Sequence, residues 1–294
     1  MAIRKYKSEL ASGSIKNYAA TRKYTAAFCQ VKYIAGDIPL KRLTYAFIDE
    51  LKTFILTTPI RPNDPCTNNG CMKHLERIKK IMTWAHEMRY IDRDVFLSYK
   101  IQKKRYESKY LRWDQLRAIE LKKLHQPMVS LVRDLFVFCC YTGMAPADMQ
   151  LLRPTQIYTG TDKIAWLEYT RLKSDIKAKV PLLKPALDLL KKYELKKGDT
   201  FRNTAFPVVS NKDLNANLKV ISEICELGIS LNFYMARHTF ATTIALLNGV
   251  PITSIKEMMG HERIESTMIY IKIHAASVAQ HMKRVQKKLD NYLI

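Results

Sequence analysis

Along almost all of this 294-residue chain the apolar side chains recur at helical spacing, and only around residues 164–183 does the pattern become compatible with β-strands. That single interruption confines the fold to a mainly α class carrying a hairpin or small sheet. In the first hundred residues, Ile15, Tyr18, Ala19, Tyr24 and Phe28 trace one helical face between Lys16, Arg22 and Lys23. After the Gly36-Asp37-Ile38-Pro39 turn, Thr44 is placed to cap a second helix whose Phe47, Ile48, Leu51, Phe54 and Ile55 form an apolar stripe. Pro59 disfavours helix in the residue before it and ends that segment. A third helix is predicted over 68–90, with Leu75, Ile78, Ile81, Met82 and Trp84 set against Lys73, Arg77, Lys79 and Lys80.

Residues 99–112 lose the periodicity and gather positive charge. They are read as the junction between an all-helical domain over 1–103 and a second domain over 113–294, with 104–112 as a basic linker. Helical patterns return at 114–124 and 127–141, and Thr142-Gly143 closes the latter. Strands are predicted around Ile164, Trp166 and Leu167 and again over Lys177–Leu183, separated by Arg171-Leu172-Lys173-Ser174-Asp175. Further helices follow at 185–193, 211–226, 236–248, 252–259 and 263–272, and an amphipathic segment, Val278–Leu293, ends the chain.

Composition bears on the partner. Lys and Arg total 49 against 27 Asp and Glu, a net charge of +22, which favours a polyanion and above all nucleic acid. No segment is long and apolar enough to span a bilayer, so no membrane partner is expected, and the amino terminus has no apolar signal-like stretch. The expected location is the cytoplasm. The six cysteines follow no disulfide rhythm and are read as reduced thiols. Cys66, Cys71 and His74 lie close in sequence but match no zinc spacing, and packing is their expected role.

Two titratable rings stand out in the last third of the chain. His261 follows Gly260 directly, and Tyr270 comes nine residues later within an apolar, helix-compatible run; shortly before them lies Ala236-Arg237-His238-Thr239-Phe240-Ala241-Thr242. Alone, each could be a structural residue, a helix cap or a half-buried core ring. The order Thr142-Gly143, Lys173 in the hairpin, Arg237 opening a helix, Gly260-His261 and then Tyr270 resembles the tyrosine recombinase (phage integrase) family, most closely its conjugative-transposon and mobile-element branch. The phrases Cys-Tyr-Thr-Gly-Met-Ala, Met-Ala-Arg-His-Thr-Phe-Ala-Thr-Thr and Asn-Gly-Val-Pro-Ile carry the same likeness.

The resemblance implies a two-domain clamp around double-stranded DNA, made of a helical, SAM-like core-binding domain and a mixed, mainly helical catalytic domain. It implies site-specific strand exchange through a covalent 3′-phosphotyrosine, with no metal or nucleotide cofactor. Tyr270 would be the nucleophile, Arg237 and His261 would bind the phosphate, and Lys173 would protonate the leaving 5′-oxygen. A homotetramer on paired sites, accessory DNA-bending proteins and a nucleoid-associated location belong to the same expectation. The Val278–Leu293 segment would pack either onto a neighbouring protomer or back onto its own domain.

Two positions depart from the family pattern. Ala145 stands two residues after Thr142-Gly143, where the family usually has an arginine, and Tyr234 stands three residues before Arg237, where it usually has histidine. Asp148 is acidic where the family tends to be. One reading is that Arg171, sharing a face of an extended strand with Lys173, supplies the missing guanidinium. The alternative is a catalytically impaired DNA-binding regulator of the same fold. His238 is read as a residue that orients its neighbours.

Overall fold

The structure is a computed structural model that describes residues 10, 12–60, 64–104, 109–196 and 201–270, and six positions between 282 and 290. The chain divides into two compact units, residues 1–106 and 107–294. The described residues are mainly helical, with one small sheet.

The first unit is built from α1 (Ser12–Lys32), α2 (Tyr45–Thr57) and α3 (Asn68–Glu87). Thr44 accepts a hydrogen bond from the Phe47 amide, as its N-cap role requires, and Thr67 accepts likewise from Gly70. Phe28, Phe47, Leu51, Ile55, Leu75, Met82 and Phe96 make the buried core. Lys16, Arg22, Lys23, Lys73 and Lys80 stay exposed, so the same periodicity that sorts the apolar residues inward leaves a basic outer surface. The Asn69 side chain donates to the Lys104 carbonyl and accepts from the Lys104 amide, both at 2.8 Å, which fastens the chain leaving this unit to α3.

In the second unit α4 (Trp113–Leu121), α5 (Pro127–Thr142) and α6 (Pro146–Gln150) precede the sheet. The sheet is antiparallel in the order β1 (Ile157–Thr159), β2 (Ala165–Thr170), β3 (Lys177–Pro181), with Leu167 opposite both Ile157 and Val180. The predicted hairpin is therefore β2–β3, and β1 is an additional strand. Then come α7 (Lys184–Lys192), α8 (Asn211–Ile224), α9 (Tyr234–Thr239), α10 (Ile252–Met258) and α11 (Glu265–Met268). From Phe240 to Ala245 the helical path after α9 widens into a π-helical turn, a departure often found near functional sites. Of the predicted terminal helix over 278–293, only residues 282, 283, 285, 286, 289 and 290 are described, and these are helical and exposed; the rest lies outside the described residues.

The core of this unit surrounds α5, which is buried along most of its length from Val129 to Thr142. Phe136 meets Phe233 edge-on at 5.8 Å, just ahead of α9. Leu111 is pinned from both sides: its amide donates to Thr239 Oγ1 at 3.0 Å, and its carbonyl accepts from the Thr243 hydroxyl. Gly143 ends α5 in the left-handed region at φ 69°, and a Cβ there would stand 2.4 Å from Cδ1 of Phe240. Replacing Gly143 with alanine is expected to destabilise the second unit by about 1–3 kcal/mol from backbone strain alone, with the Phe240 clash adding to it. Urea unfolding checks this, and Phe240→Leu in the same chain should recover part of the loss.

Candidate active site

Arg237 is the centre of the site. It projects from α9 with no solvent exposure, although its side chain carries a full charge. One guanidinium nitrogen, Nη1, donates to the Gly143 carbonyl, while Nη2 donates to the Met259 carbonyl and, at 2.8 Å, to His261 Nε2. Nε has no partner, and none of the ion pairs among the described residues involves Arg237. A cation so placed is stabilised by carbonyl dipoles and a neutral imidazole, without a counter-charge.

The contact with Arg237 fixes the state of His261. Arginine only donates, so Nε2 must accept, and the ring proton sits on Nδ1, which donates to Thr267 Oγ1 at 2.9 Å. Burial first, and then Arg237, Arg171 and Lys256, push the imidazole's pKa down to about 3. His261 is thus neutral with both ring nitrogens engaged.

Tyr270 packs against two imidazoles. Its ring stacks on His261 at 5.9 Å with an interplanar angle of 11°, and meets His238 at 4.8 Å and 58°. The phenol is 4% exposed, and the side chains of Arg237 and Tyr234 lie within hydrogen-bonding reach of it. Burial, followed by Tyr234, raises its pKa well above the ordinary value of 10, and the guanidinium of Arg237 opposes that rise only in part. Thr242, in the π-helical turn, donates to the Tyr270 carbonyl at 3.5 Å. Tyr234 itself is half exposed, with its ring edge-on to His238 at 5.0 Å.

Arg171 and Lys173 do not share a face. The amide of Asp175 bonds back to the Arg171 carbonyl and the Arg171 amide to Ile176, so residues 171–175 form a tight turn, with Asp175 at φ 56°, in place of an extended strand. Arg171 turns inward, 8% exposed; its Nη1 donates to the Gly260 carbonyl at 3.2 Å and its Nε lies 3.6 Å from Asp148 Oδ2. Lys173 remains exposed in the turn. Asp148 also accepts from the Leu172 amide at 3.0 Å, which ties the turn to α6, the helix that Ala145 caps. Gly260 makes the approach of Arg171 feasible: at φ 56° it is left-handed, and a Cβ would stand 2.6 Å from Cδ of Arg171.

The anticipated residues therefore fall into groups. Tyr270, Arg237 and His261 are in mutual contact, Arg171 joins them through Gly260, Tyr234 borders Tyr270, and Lys173 is in the β2–β3 turn. Sequence reasoning missed Thr267, which fixes the His261 tautomer, and the approach of His238 to Tyr270. Of the buried polar side-chain atoms without a hydrogen-bond partner among the described residues, Tyr169 Oη, Arg171 Nε, Arg237 Nε and His238 Nδ1 all belong to this region. No helix among the described residues is long and apolar enough to cross a membrane.

Residues 109–277 match the phage integrase family, and residues 2–101 match the phage integrase SAM-like domain. The chain belongs to the phage integrase family, whose members are tyrosine recombinases. It is 26% identical to the integrase of Salmonella phage P22 over 224 residues, 72% of this chain and 56% of that protein. It is 39% identical to the tyrosine recombinase XerA of Thermococcus onnurineus over 61 residues, 21% of this chain and 20% of that protein. The chain thus spans only part of the length of these curated relatives. In fold it is similar to the Tn1549 transposon integrase solved in complex with a circular intermediate DNA, with a TM-score of 0.70, 13% identity and 96% of each chain covered. It is likewise similar to the lambda integrase dimer bound to a core site, with a TM-score of 0.70, 14% identity and 90% of each chain covered.

The two histidines give a pH dependence of known sign. Both His261 and His238 have folded-state pKa values below the ordinary 6.5, at about 3 and about 4. The unfolded chain therefore binds more protons in that window, and the stability these rings contribute is present above about pH 6.5 and lost as pH falls toward 4. Unfolding midpoints measured between pH 7 and pH 4 should drop in the unaltered chain and drop less steeply in His261→Asn.

Proposed function

We propose that this protein is a site-specific DNA recombinase that cleaves and rejoins duplex DNA through a covalent 3′-phosphotyrosine. The observation that carries this reading is the fully buried Arg237, held by carbonyls without a carboxylate and in contact with the phenol of Tyr270. Such a cation complements a phosphate, and the nucleophile lies beside it. The net charge of +22 suits a duplex partner.

In this mechanism the Tyr270 oxygen attacks phosphorus and displaces the 5′-oxygen of the strand. Arg237 grips the non-bridging oxygens of the phosphorane, and Arg171 supplies the second guanidinium that Ala145 does not. Lys173, exposed in the β2–β3 turn, protonates the departing 5′-oxygen. His261 holds Arg237 in place through Nε2. The phosphotyrosine conserves the bond energy, so a 5′-hydroxyl from another duplex can reverse the step. Both units bind the DNA, and four copies assemble on two sites, with accessory DNA-bending proteins as further partners.

A nicked duplex whose cleaved fragment diffuses away should trap a covalent adduct on the unaltered chain and none on Tyr270→Phe. Arg171→Ala should slow adduct formation by about 100- to 1,000-fold while DNA binding is retained. The changes at Ala145 and Tyr234 favour a second reading, a DNA-binding regulator that does not cleave; specific binding without any adduct would select it.

A further inference from the structure

The Tyr270 phenol is too weakly acidic in its buried setting to ionise near neutral pH, so its attack on phosphorus needs a group to take its proton. Tyr234, where the family usually has histidine, is itself a phenol and a poor acceptor. The leaving-group side is served by Lys173, which donates. His261 is committed: Nε2 accepts from Arg237 and Nδ1 donates to Thr267. His238 is different. Its ring lies 4.8 Å from the Tyr270 ring, it is 8% exposed, and its Nδ1 is buried without a hydrogen-bond partner.

We propose that His238 is the proton acceptor for Tyr270, its free ring nitrogen taking the phenolic proton as the oxygen attacks phosphorus. The inference rests on the recombinase reading given above. The step balances. The bond from Tyr270 Oη to phosphorus forms as the bond from phosphorus to the 5′-oxygen breaks; the phenolic proton ends on His238, and the 5′-oxygen takes one from the Lys173 ammonium. In the reverse direction both protons return.

The groups facing His238 are Arg237 and Tyr234 from its own helix and Tyr270, against which His261 also stacks. Burial and the Arg237 charge hold the imidazole pKa at about 4, which keeps it unprotonated and available as an acceptor. A phosphate seated against Arg237 and Arg171 offsets the cationic field and raises the ring's proton affinity when the reacting group arrives.

The test uses a duplex selected from a randomised pool by covalent capture on the unaltered full chain, made with either the ordinary 5′-oxygen or a 5′-sulfur at the cleaved bond. Sulfur leaves without needing a proton, so it separates the acceptor step from the donor step. In single-turnover reactions His238→Ala and His238→Gln should form adduct about 100-fold more slowly or worse on both duplexes, with duplex affinity retained. Lys173→Ala should be slow with oxygen and restored with sulfur. The rate of the unaltered chain should rise with pH and level off, whereas the His238 variants should keep gaining rate as pH rises. His238→Gln retains a hydrogen-bonding side chain of similar reach and serves where alanine leaves the chain unfolded. Undiminished adduct formation in the His238 variants, restoration of their rate by sulfur, or loss of duplex affinity in step with rate overturns the role for His238 alone. Failure of the unaltered chain to capture any duplex, or capture that survives Tyr270→Phe, overturns the recombinase reading and this inference with it.

Discussion

A charged side chain without a counter-charge is costly to bury, and the second unit is arranged around one. Arg237 is stabilised by two backbone carbonyls and an imidazole, which supply dipoles and leave the positive charge uncancelled. The carbonyls come from separate places in the chain, Gly143 at the end of α5 and Met259 at the end of α10, so the guanidinium can be satisfied only when both helices are seated against α9. The surroundings of Arg237 are therefore assembled from three separate helices of the second unit.

Two left-handed glycines make that arrangement sterically feasible. Gly143 lets the chain reverse after α5 with its carbonyl toward Arg237 and the Phe240 ring against its Cα. Gly260 lets the aliphatic part of Arg171 pass where a Cβ would otherwise sit. The Thr-Gly and Gly-His dipeptides thus have a steric cause: Gly143 leaves room for the Phe240 ring, and Gly260 for the aliphatic part of Arg171.

Much of this was legible in the sequence. The helical periods marked most helices of both units, Thr44 identified its own cap, and the order of Arg237, Gly260-His261 and Tyr270 indicated which residues to examine. What was not legible depended on contacts between distant segments or on elements too short to show a period. The strand β1 is three residues long and offers no alternation to read. The pairing of Arg171 with Lys173 on one face assumed extended backbone, but hydrogen bonds between residues 171, 175 and 176 curl that stretch into a turn that buries one side chain and exposes the other. His238 looked secondary because adjacent helical residues point about 100° apart, so it could not share the direction of Arg237. The tyrosine comes from a separate part of the chain and touches both, a geometry that helical spacing alone does not encode.

Leu111 is where the chain arriving from the first unit is secured in the second, its amide bonded to Thr239 and its carbonyl to Thr243. Thr239 is the second residue after Arg237 on the same helix, and Thr243 lies in the π-helical turn that also carries Thr242, the partner of the Tyr270 carbonyl. The backbone of one leucine is therefore bonded to the same helical path that holds the buried arginine and supports the tyrosine backbone. Losing either bond to Leu111 removes a hydrogen bond from the short helical stretch that carries Arg237 and supports Tyr270.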